Sequence, residues 1–123
     1  MQANVEINTA LKLVVSKFVG ETNESDMDTL VETMPSLPNF DPAFAHIIDF
    51  TDVTFFNIST SFLQNLATRR PVFSPAARQI VVAPQTYIYG LSRMTQIMRE
   101  PLLPNVAVVK SIEEAYSLLG ISL

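Results

Sequence analysis

The sequence predicts an α/β domain with a mostly parallel or mixed sheet of four or five strands and about four helices. Short runs of β-branched and apolar residues alternate along the chain with segments of helical periodicity. Residues 80–83 are apolar without alternation, which is typical of a strand that helices cover on both faces. Strand–helix–strand units of this length require right-handed crossovers, and such crossovers produce a largely parallel sheet.

Composition limits the class of protein. The chain has 123 residues, which predicts a single domain over residues 1–123, and 48% of its residues are hydrophobic. It has no cysteine, which excludes disulfides, thiolate metal sites and thiol catalysis. No apolar run approaches the roughly 20 residues that a membrane span needs, and residues 1–8 lack a signal pattern. We therefore expect a cytoplasmic protein without a transmembrane segment.

The first elements are expected to form a hairpin. Residues 10–21, ALKLVVSKFVGE, are rich in β-branched and apolar side chains and predict a long strand that ends at Gly20. A shorter strand over residues 5–7 is expected to pair with it. Asn8 and Thr9 would then form a tight turn between the two strands.

A helix is predicted next, over residues 25–34. Ser25 can cap its first turn, where Asp26 and Asp28 place negative charge at the positive end of the helix dipole. Pro35 and Pro38 end the helix. Its buried stripe has the spacing i, i+3, i+4, i+7 and consists of Met27, Leu30, Val31 and Met34.

Further strand–helix units fill the second half of the chain. Residues 44–50 predict a core strand, and residues 62–67 carry the apolar stripe of the helix after it. Residues 78–85 predict the next strand, after which Thr86 caps a helix, and residues 105–110 predict the last strand. The expected buried stripe of the helix after Thr86 is Tyr87, Leu91, Met94 and Met98.

The closing helix carries the clearest local signals. Ser111 and Glu114 have the spacing of a capping box, in which the serine side chain and the glutamate each bind a free backbone amide. Gly120 is placed to end the helix in the left-handed conformation.

Charge is unevenly distributed along the chain. The net charge of −4 argues against nucleic acid as a partner. Residues 1–52 carry nine acids and two bases, whereas residues 53–123 carry six bases and three acids. One interpretation is a set of solvated helix faces, and the other is a basic surface for an anionic partner or ligand, which would include Phe62. The arginines of that surface would be Arg69, Arg70, Arg78, Arg93 and Arg99.

Catalytic groups are scarce. His46 is the one histidine and lies among apolar strand residues, so a core histidine is the simpler interpretation, and no transition-metal site can be assembled around it. Asp49 and Asp52 could act as paired acids, or Asp49 could accept hydrogen bonds from loop amides at a strand end. No glycine-rich phosphate loop and no G-x-S-x-G elbow occurs. The sequence therefore predicts neither an enzyme nor a bound cofactor or metal.

A hydroxyl-rich junction follows the strand that contains Asp49. It comprises Asn57, Ile58, Ser59, Thr60 and Ser61, and it is expected at the carboxyl edge of the sheet, where ligands and partners of parallel sheets gather. Asn57 or Ser59 could simply cap the next helix. Alternatively, a phosphate added here would meet the free amides and the positive dipole end of that helix.

The segment IIDFTDVTFFNISTSFLQNL resembles the central motif of STAS domains, the sulphate-transporter and anti-sigma-factor-antagonist family. The usual motif is an apolar strand, then D-L-S-x-V-x-F-x-D-S-S-G-L and a helix. Here Asp49 begins the match, Val53 and Phe55 stand for the valine and phenylalanine, and residues 57–60 cover D-S-S-G. The strand–helix order agrees from about residue 11 to 119. The segment VFSPAARQIVVAPQTYIYGLSRM is similar to small stand-alone bacterial members of this superfamily.

The resemblance implies a regulatory protein-interaction module. In the antagonists, an anti-sigma factor that is also a serine kinase phosphorylates the second serine of D-S-S-G, and that serine falls on Ser59 here. The unmodified form binds the anti-sigma factor, and phosphorylation breaks the complex. This chain departs from the motif at Asn57, Ile58 and Thr60, so a helix cap without the switch is the alternative for Ser59.

Two other roles are compatible with the sequence. The related Sec14-type fold binds lipids, and the pair Phe55 and Phe56 together with the methionines suggests a small-ligand or lipid-binding domain. Its pocket would be lined by Met94, Met98 and Phe62. A homodimer through apolar residues of the first strand or last helix is a further alternative.

Overall fold

The computed structural model describes residues 3–122, which form one mixed sheet and four α-helices. The strands are β1 (Ala3–Asn8), β2 (Leu13–Asn23), β3 (Ala45–Asn57), β4 (Gln79–Val82) and β5 (Val106–Val109). The helices are α1 (Glu24–Thr33), α2 (Thr60–Thr68), α3 (Thr86–Arg99) and α4 (Ile112–Leu119), and a 3-10 turn over Met34–Ser36 follows α1. The predicted α/β class, with a mixed five-stranded sheet, is confirmed.

The strands lie side by side in sequence order, from β1 to β5. β1 is antiparallel to β2, and the other neighbours are parallel. Successive right-handed crossovers that advance in one direction place their helices on the same face of a sheet. Accordingly α1, α2 and α3 share one face, the three-helix face, and α4 alone covers the other, the α4 face.

Each face has its own buried cluster. The three-helix face is the larger, and aromatic residues of β2 and β3 occupy its centre, with the rings of Phe18 and Phe50 5.3 Å apart. The α4 face has a smaller cluster of aliphatic residues around Ala115 of α4. The other buried members of that cluster are Leu13, Ile47, Ile80, Val82 and Val109.

β3 is longer than predicted and carries two irregularities. Its register against β2 shifts between Lys17 and Val19 and again between Gly20 and Glu21, and each shift leaves one extra residue on β3. Such bulges change the alternation of side chains, so that buried positions recur every third residue instead of every second. The buried side chains of this part of β3 are accordingly Phe50, Val53 and Phe56.

The hairpin of β1 and β2 is confirmed, but two of its details differ from the prediction. The turn occupies residues 9–12, with Lys12 at φ 53°, and is therefore longer than a tight turn at Asn8 and Thr9. Gly20 does not end the strand, because β2 continues to Asn23. Gly20 instead adopts φ 75° beside the second register shift, a backbone conformation that glycine accepts without a steric cost.

Two predicted helix caps are displaced by one or two residues. Asn23 caps α1 in place of Ser25 and forms a reciprocal capping box with Asp26. Gln85 precedes α3, so Thr86 is its first residue and not its cap. Of the predicted stripe of α3, Leu91 and Met94 pack against the core, whereas Tyr87 is 63% exposed and Ile88 is the buried residue of the first turn.

Candidate functional site

The carboxyl edge of the sheet is stepped. β4 pairs with β3 only from His46 to Asp49, whereas β2 and β3 continue together until Asn23 pairs with Asn57. Both long strands lead directly into helices, so the N-termini of α1 and α2 lie side by side at the end of the two-stranded ribbon. We call this region, residues 54–61 with Asn23 and Glu24, the rim.

Ser59 is the N-cap of α2, as one of the two sequence interpretations holds. Its Oγ accepts a hydrogen bond from the amide of Phe62 at 3.1 Å. The amide and the hydroxyl of Ser59 both donate to Oε2 of Glu24, each at 2.9 Å. One carboxylate therefore bridges the first residue of α1 and the cap of α2, where the two helix dipoles favour negative charge.

The other predicted residues of the junction surround Ser59. Asn57, Thr60 and Ser61 are exposed, whereas Ile58 is buried in the core. Phe55 lies on the outer face of β3 with 58% of its surface exposed, while the neighbouring Phe56 is buried. The rim thus presents hydroxyl groups and one large apolar side chain to solvent.

Asp49 does not belong to the rim, although it was expected at a strand end. It is a buried residue within β3, and its carboxylate accepts hydrogen bonds from the amide of Thr51, at 2.9 Å, and from the Thr51 hydroxyl. The polar residues after Asp49 are the outward-facing positions of a long bulged strand and not a loop. Asp52 forms an exposed ion pair with Lys17 at 2.9 Å, so the two predicted acids differ in burial and in hydrogen-bond partners.

Gln85 stabilises the irregular part of β3. Its Nε2 donates to the carbonyl oxygens of Phe50, at 2.8 Å, and Val53, at 3.0 Å, on the edge that β4 leaves free. A side-chain amide therefore satisfies backbone groups that a longer β4 would otherwise pair. The edge of β3 beyond Val53 remains without a neighbouring strand among residues 3–122 on the β4 side.

The arginines predicted as an anion surface lie on or beside different elements. Arg69 forms an ion pair with Asp28 at 2.6 Å and lies 5.3 Å above the ring of Phe62, so these two predicted residues do meet. Arg93 lies on α3 and donates to Gln96 at 3.3 Å, and Arg70 is exposed after α2. Asp28 of α1 thus neutralises the charge of Arg69, which argues against a basic surface shared by these arginines.

His46 is a core residue. Its ring is stacked on Phe73 at 4.5 Å, Nε2 lies 2.7 Å from the hydroxyl of Ser16, and Nδ1 lies 3.3 Å from Oε1 of Gln79. Burial lowers the pKa of His46 to about 4, because the apolar surroundings disfavour the imidazolium. Within residues 3–122, no group of three or more His, Asp or Glu side chains is placed to hold a metal ion.

Two cavities lie between the sheet and the helices of the three-helix face. Their volumes are about 110 Å³ and about 100 Å³. The predicted lining residues Met94, Met98 and Phe62 contribute to neither cavity. Both cavities share four lining residues, namely Met27, Ile48, Leu66 and Arg99.

Comparisons with known proteins connect the chain to others only through its fold. No family model matches the sequence, and no curated protein matches it. None of the helices in residues 3–122 is long and apolar enough to cross a membrane. The structure is similar to that of an uncharacterized protein from the DUF3478 family with a SpoIIAA-like fold, from Shewanella loihica PV-4, with a TM-score of 0.59. The two share 14% identity over 95% of this chain and 91% of that one. The chain therefore has the SpoIIAA-like fold, the fold of STAS domains, as its central motif predicts.

Proposed function

We propose that this protein is a non-enzymatic interaction module that binds a partner protein at the rim around Ser59. The observation that carries the proposal is the exposed rim itself, where Phe55 is 58% exposed beside a free strand edge and a capped helix. A free strand edge can pair with a strand of a partner, and an exposed aromatic side chain beside it can anchor that partner. The fold suggests an anti-sigma factor with serine kinase activity as the class of partner.

Phosphorylation of Ser59 would then control binding. The hydroxyl of Ser59 faces Oε2 of Glu24 at 2.9 Å, so a phosphate on this oxygen would bring nearly two negative charges against a carboxylate. The amides at the start of α2 favour the phosphate, whereas Glu24 opposes it. The expected result is loss of the Ser59–Glu24 bridge and a change in the charge and shape of the rim.

Mass spectrometry after incubation with ATP and serine kinases from the same organism tests the modification. Ser59 is expected to carry the phosphate, and Ser59→Asp is expected to release a partner that the unmodified protein binds. Ser111 provides a matched control, because it also caps a helix at the carboxyl edge of the sheet. Ser111→Asp should leave the partner bound.

Glu24→Gln distinguishes the electrostatic mechanism from a simple loss of the hydroxyl. If repulsion from Glu24 drives release, Ser59→Asp should weaken binding less in a Glu24→Gln background. The proposal is wrong if Ser59, Thr60 and Ser61 all stay unmodified and Ser59→Asp leaves every partner in place. Phe55→Ser tests the docking surface independently of any phosphate and should weaken binding about tenfold or more, as for an aromatic hot spot.

A further inference from the structure

The two cavities of the three-helix face are adjacent, since they share four lining residues. The first lies between the sheet, α2 and α3, and the second continues towards α1 and the buried ring of His46. Met27 lines both cavities, and because its side chain is unbranched, a change of its rotamer can connect them. The apolar residues that line the first cavity alone are Phe50, Phe56, Leu63, Val81, Leu91 and Val106.

One cationic side chain lines both cavities. Arg99, in the last turn of α3, has a buried Nε with no hydrogen-bond partner among residues 3–122. Burial lowers the pKa of the guanidinium, and no carboxylate opposes this effect. A buried donor without a partner destabilises a protein, and a ligand in the cavity that accepts its hydrogen bond would remove this cost.

The polar neighbours of Arg99 already have partners. The hydroxyl of Thr95 donates to the carbonyl of Leu91 at 2.9 Å, and Nε2 of Gln96 donates to the carbonyl of Val106 at 2.7 Å. Both side chains line the first cavity. Among the residues that line both cavities, Arg99 is the one with a buried side-chain donor that has no partner within residues 3–122.

We propose that the two cavities together bind a small amphipathic monocarboxylate, with its apolar chain inside them and its carboxylate on Arg99. The guanidinium is the side chain best suited to pair with a carboxylate in two parallel hydrogen bonds. A single cation matches a single negative charge, which favours a monocarboxylate over a phosphate dianion. A cavity of about 150 Å³ holds a six-carbon ring, so the connected cavities suit a chain of about six carbons.

This inference does not depend on the role of Ser59, because no residue of the segment 57–61 lines either cavity. Titration with sodium hexanoate, followed by calorimetry and by amide chemical shifts, tests it directly. Hexanoate is expected to bind and to shift the amides of Ile48, Leu91 and Arg99. The neutral analogue 1-hexanol, with the same chain and no charge, should bind at least tenfold more weakly.

Substitutions separate the charge from the cavity. Arg99→Met removes the cation but keeps an apolar stem, and it should lower hexanoate affinity at least tenfold without lowering the melting temperature. Arg99→Lys keeps the charge and should retain part of the affinity. Arg70→Met, at an exposed arginine outside both cavities, is the control and should bind as the wild type does.

Filling the first cavity with a larger side chain tests the proposal in a second way. Leu91→Phe places a ring in the first cavity and should reduce the affinity for hexanoate and hexanol alike. The proposal is overturned if hexanoate does not bind the folded wild-type protein at millimolar concentration. It is equally overturned if hexanol binds as tightly as hexanoate, or if Arg99→Met leaves the affinity for hexanoate unchanged.

Discussion

The two faces of the sheet differ in the side chains that pack on them. The cluster of the α4 face is aliphatic, and its members Leu13, Ile47 and Val82 are almost completely buried. The three-helix face is larger, yet it contains the hydrogen-bonded group of Ser16, His46 and Gln79, and also two cavities. Close packing stabilises a fold, whereas cavities lower its stability and buried polar groups add little even when they are hydrogen-bonded. We infer that the α4 face serves mainly stability, whereas the three-helix face also holds the site that we propose for a carboxylate.

The largest expected loss of stability comes from Ile47, and the adjacent Ile48 on the opposite face is its comparison. Ile47 is fully buried in the α4 cluster, and Ile48 lines both cavities of the three-helix face. Ile47→Ala should lower the free energy of unfolding by about 4 kcal/mol, because it creates a new cavity in a packed region. Ile48→Ala should cost only about 2 kcal/mol, because its side chain already lacks neighbours on one side. Urea denaturation of both variants measures the difference, and equal losses would contradict the comparison.

Acid should destabilise the protein through the three-helix face. The pKa of His46 is about 4 in the folded protein and about 6.5 in the unfolded chain. Above pH 6.5 both states are neutral, so the contribution of His46 to stability is fully present. As the pH falls towards 4, the unfolded state binds a proton that the folded state does not, and stability declines by about 3 kcal/mol.

Denaturation of the wild type and of His46→Gln between pH 7.5 and pH 4.5 measures this effect. Because the chain has one histidine, the difference between the two pH profiles isolates its contribution from that of the carboxylates. His46→Gln should flatten the profile between pH 6.5 and pH 5. Identical profiles would show that the pKa of His46 is the same in the folded and unfolded states, and they would remove this contrast between the faces.

Thr22 offers a stabilising change on the same face. The alternation of β2 places it with Ser16 and Phe18, and its Oγ1 is buried without a hydrogen-bond partner among the described residues. Thr22→Val keeps the shape and removes the unsatisfied hydroxyl, which should raise the free energy of unfolding by about 1 to 2 kcal/mol. The exposed Thr54 of β3 is the control, since Thr54→Val should change stability little. Destabilisation by Thr22→Val would indicate that its hydroxyl is satisfied.

Local patterns were sufficient to predict most of the fold. The apolar run of β4 and the N-cap of Ser111 each depend on residues within a few positions of one another, and both are present. Only half of the predicted capping box forms, because the carboxylate of Glu114 accepts from the Ser111 hydroxyl and not from its backbone amide. The hairpin and the order of strands and helices follow from signals of the same kind. The interpretation of Ser59 as a helix cap also succeeded, because an N-cap is defined by its own helix.

Features that depend on distant residues could not be predicted. The bulges of β3 change its buried positions to every third residue, so Thr51 and Asp52 read as a loop and Asp49 as a strand end. The carboxylate of Glu24 reaches Ser59 across 35 positions of sequence, and no local pattern joins them. Arg99 was one of several arginines in the sequence, and only the packing of α3 on the sheet distinguishes it.

The smallest expected effect is a difference between two helix caps, one that also binds a residue of another helix and one that binds only residues of its own helix. Ser59 and Ser111 each accept a hydrogen bond from an amide of their own helix, but the hydroxyl of Ser59 donates to Glu24 of another helix and that of Ser111 to Glu114 of the same helix. Ser59→Ala and Ser111→Ala should each cost about 1 kcal/mol of stability through the lost cap.

Double-mutant cycles separate the two cases. Ser59→Ala combined with Glu24→Gln should show a coupling energy of about 0.5 to 1 kcal/mol. Each single substitution already removes the hydrogen bond between the hydroxyl and the charged carboxylate, so the double substitution cannot remove it a second time. Ser111→Ala combined with Glu114→Gln should show less, since the hydroxyl of Ser111 lies 3.3 Å from its carboxylate and that of Ser59 only 2.9 Å. Equal couplings would mean that the bridge between α1 and α2 is no stronger than a local cap. Breaking this bridge by phosphorylation of Ser59 would then destabilise the rim very little. Any switch would have to act through the contact between the phosphate and the partner's surface alone.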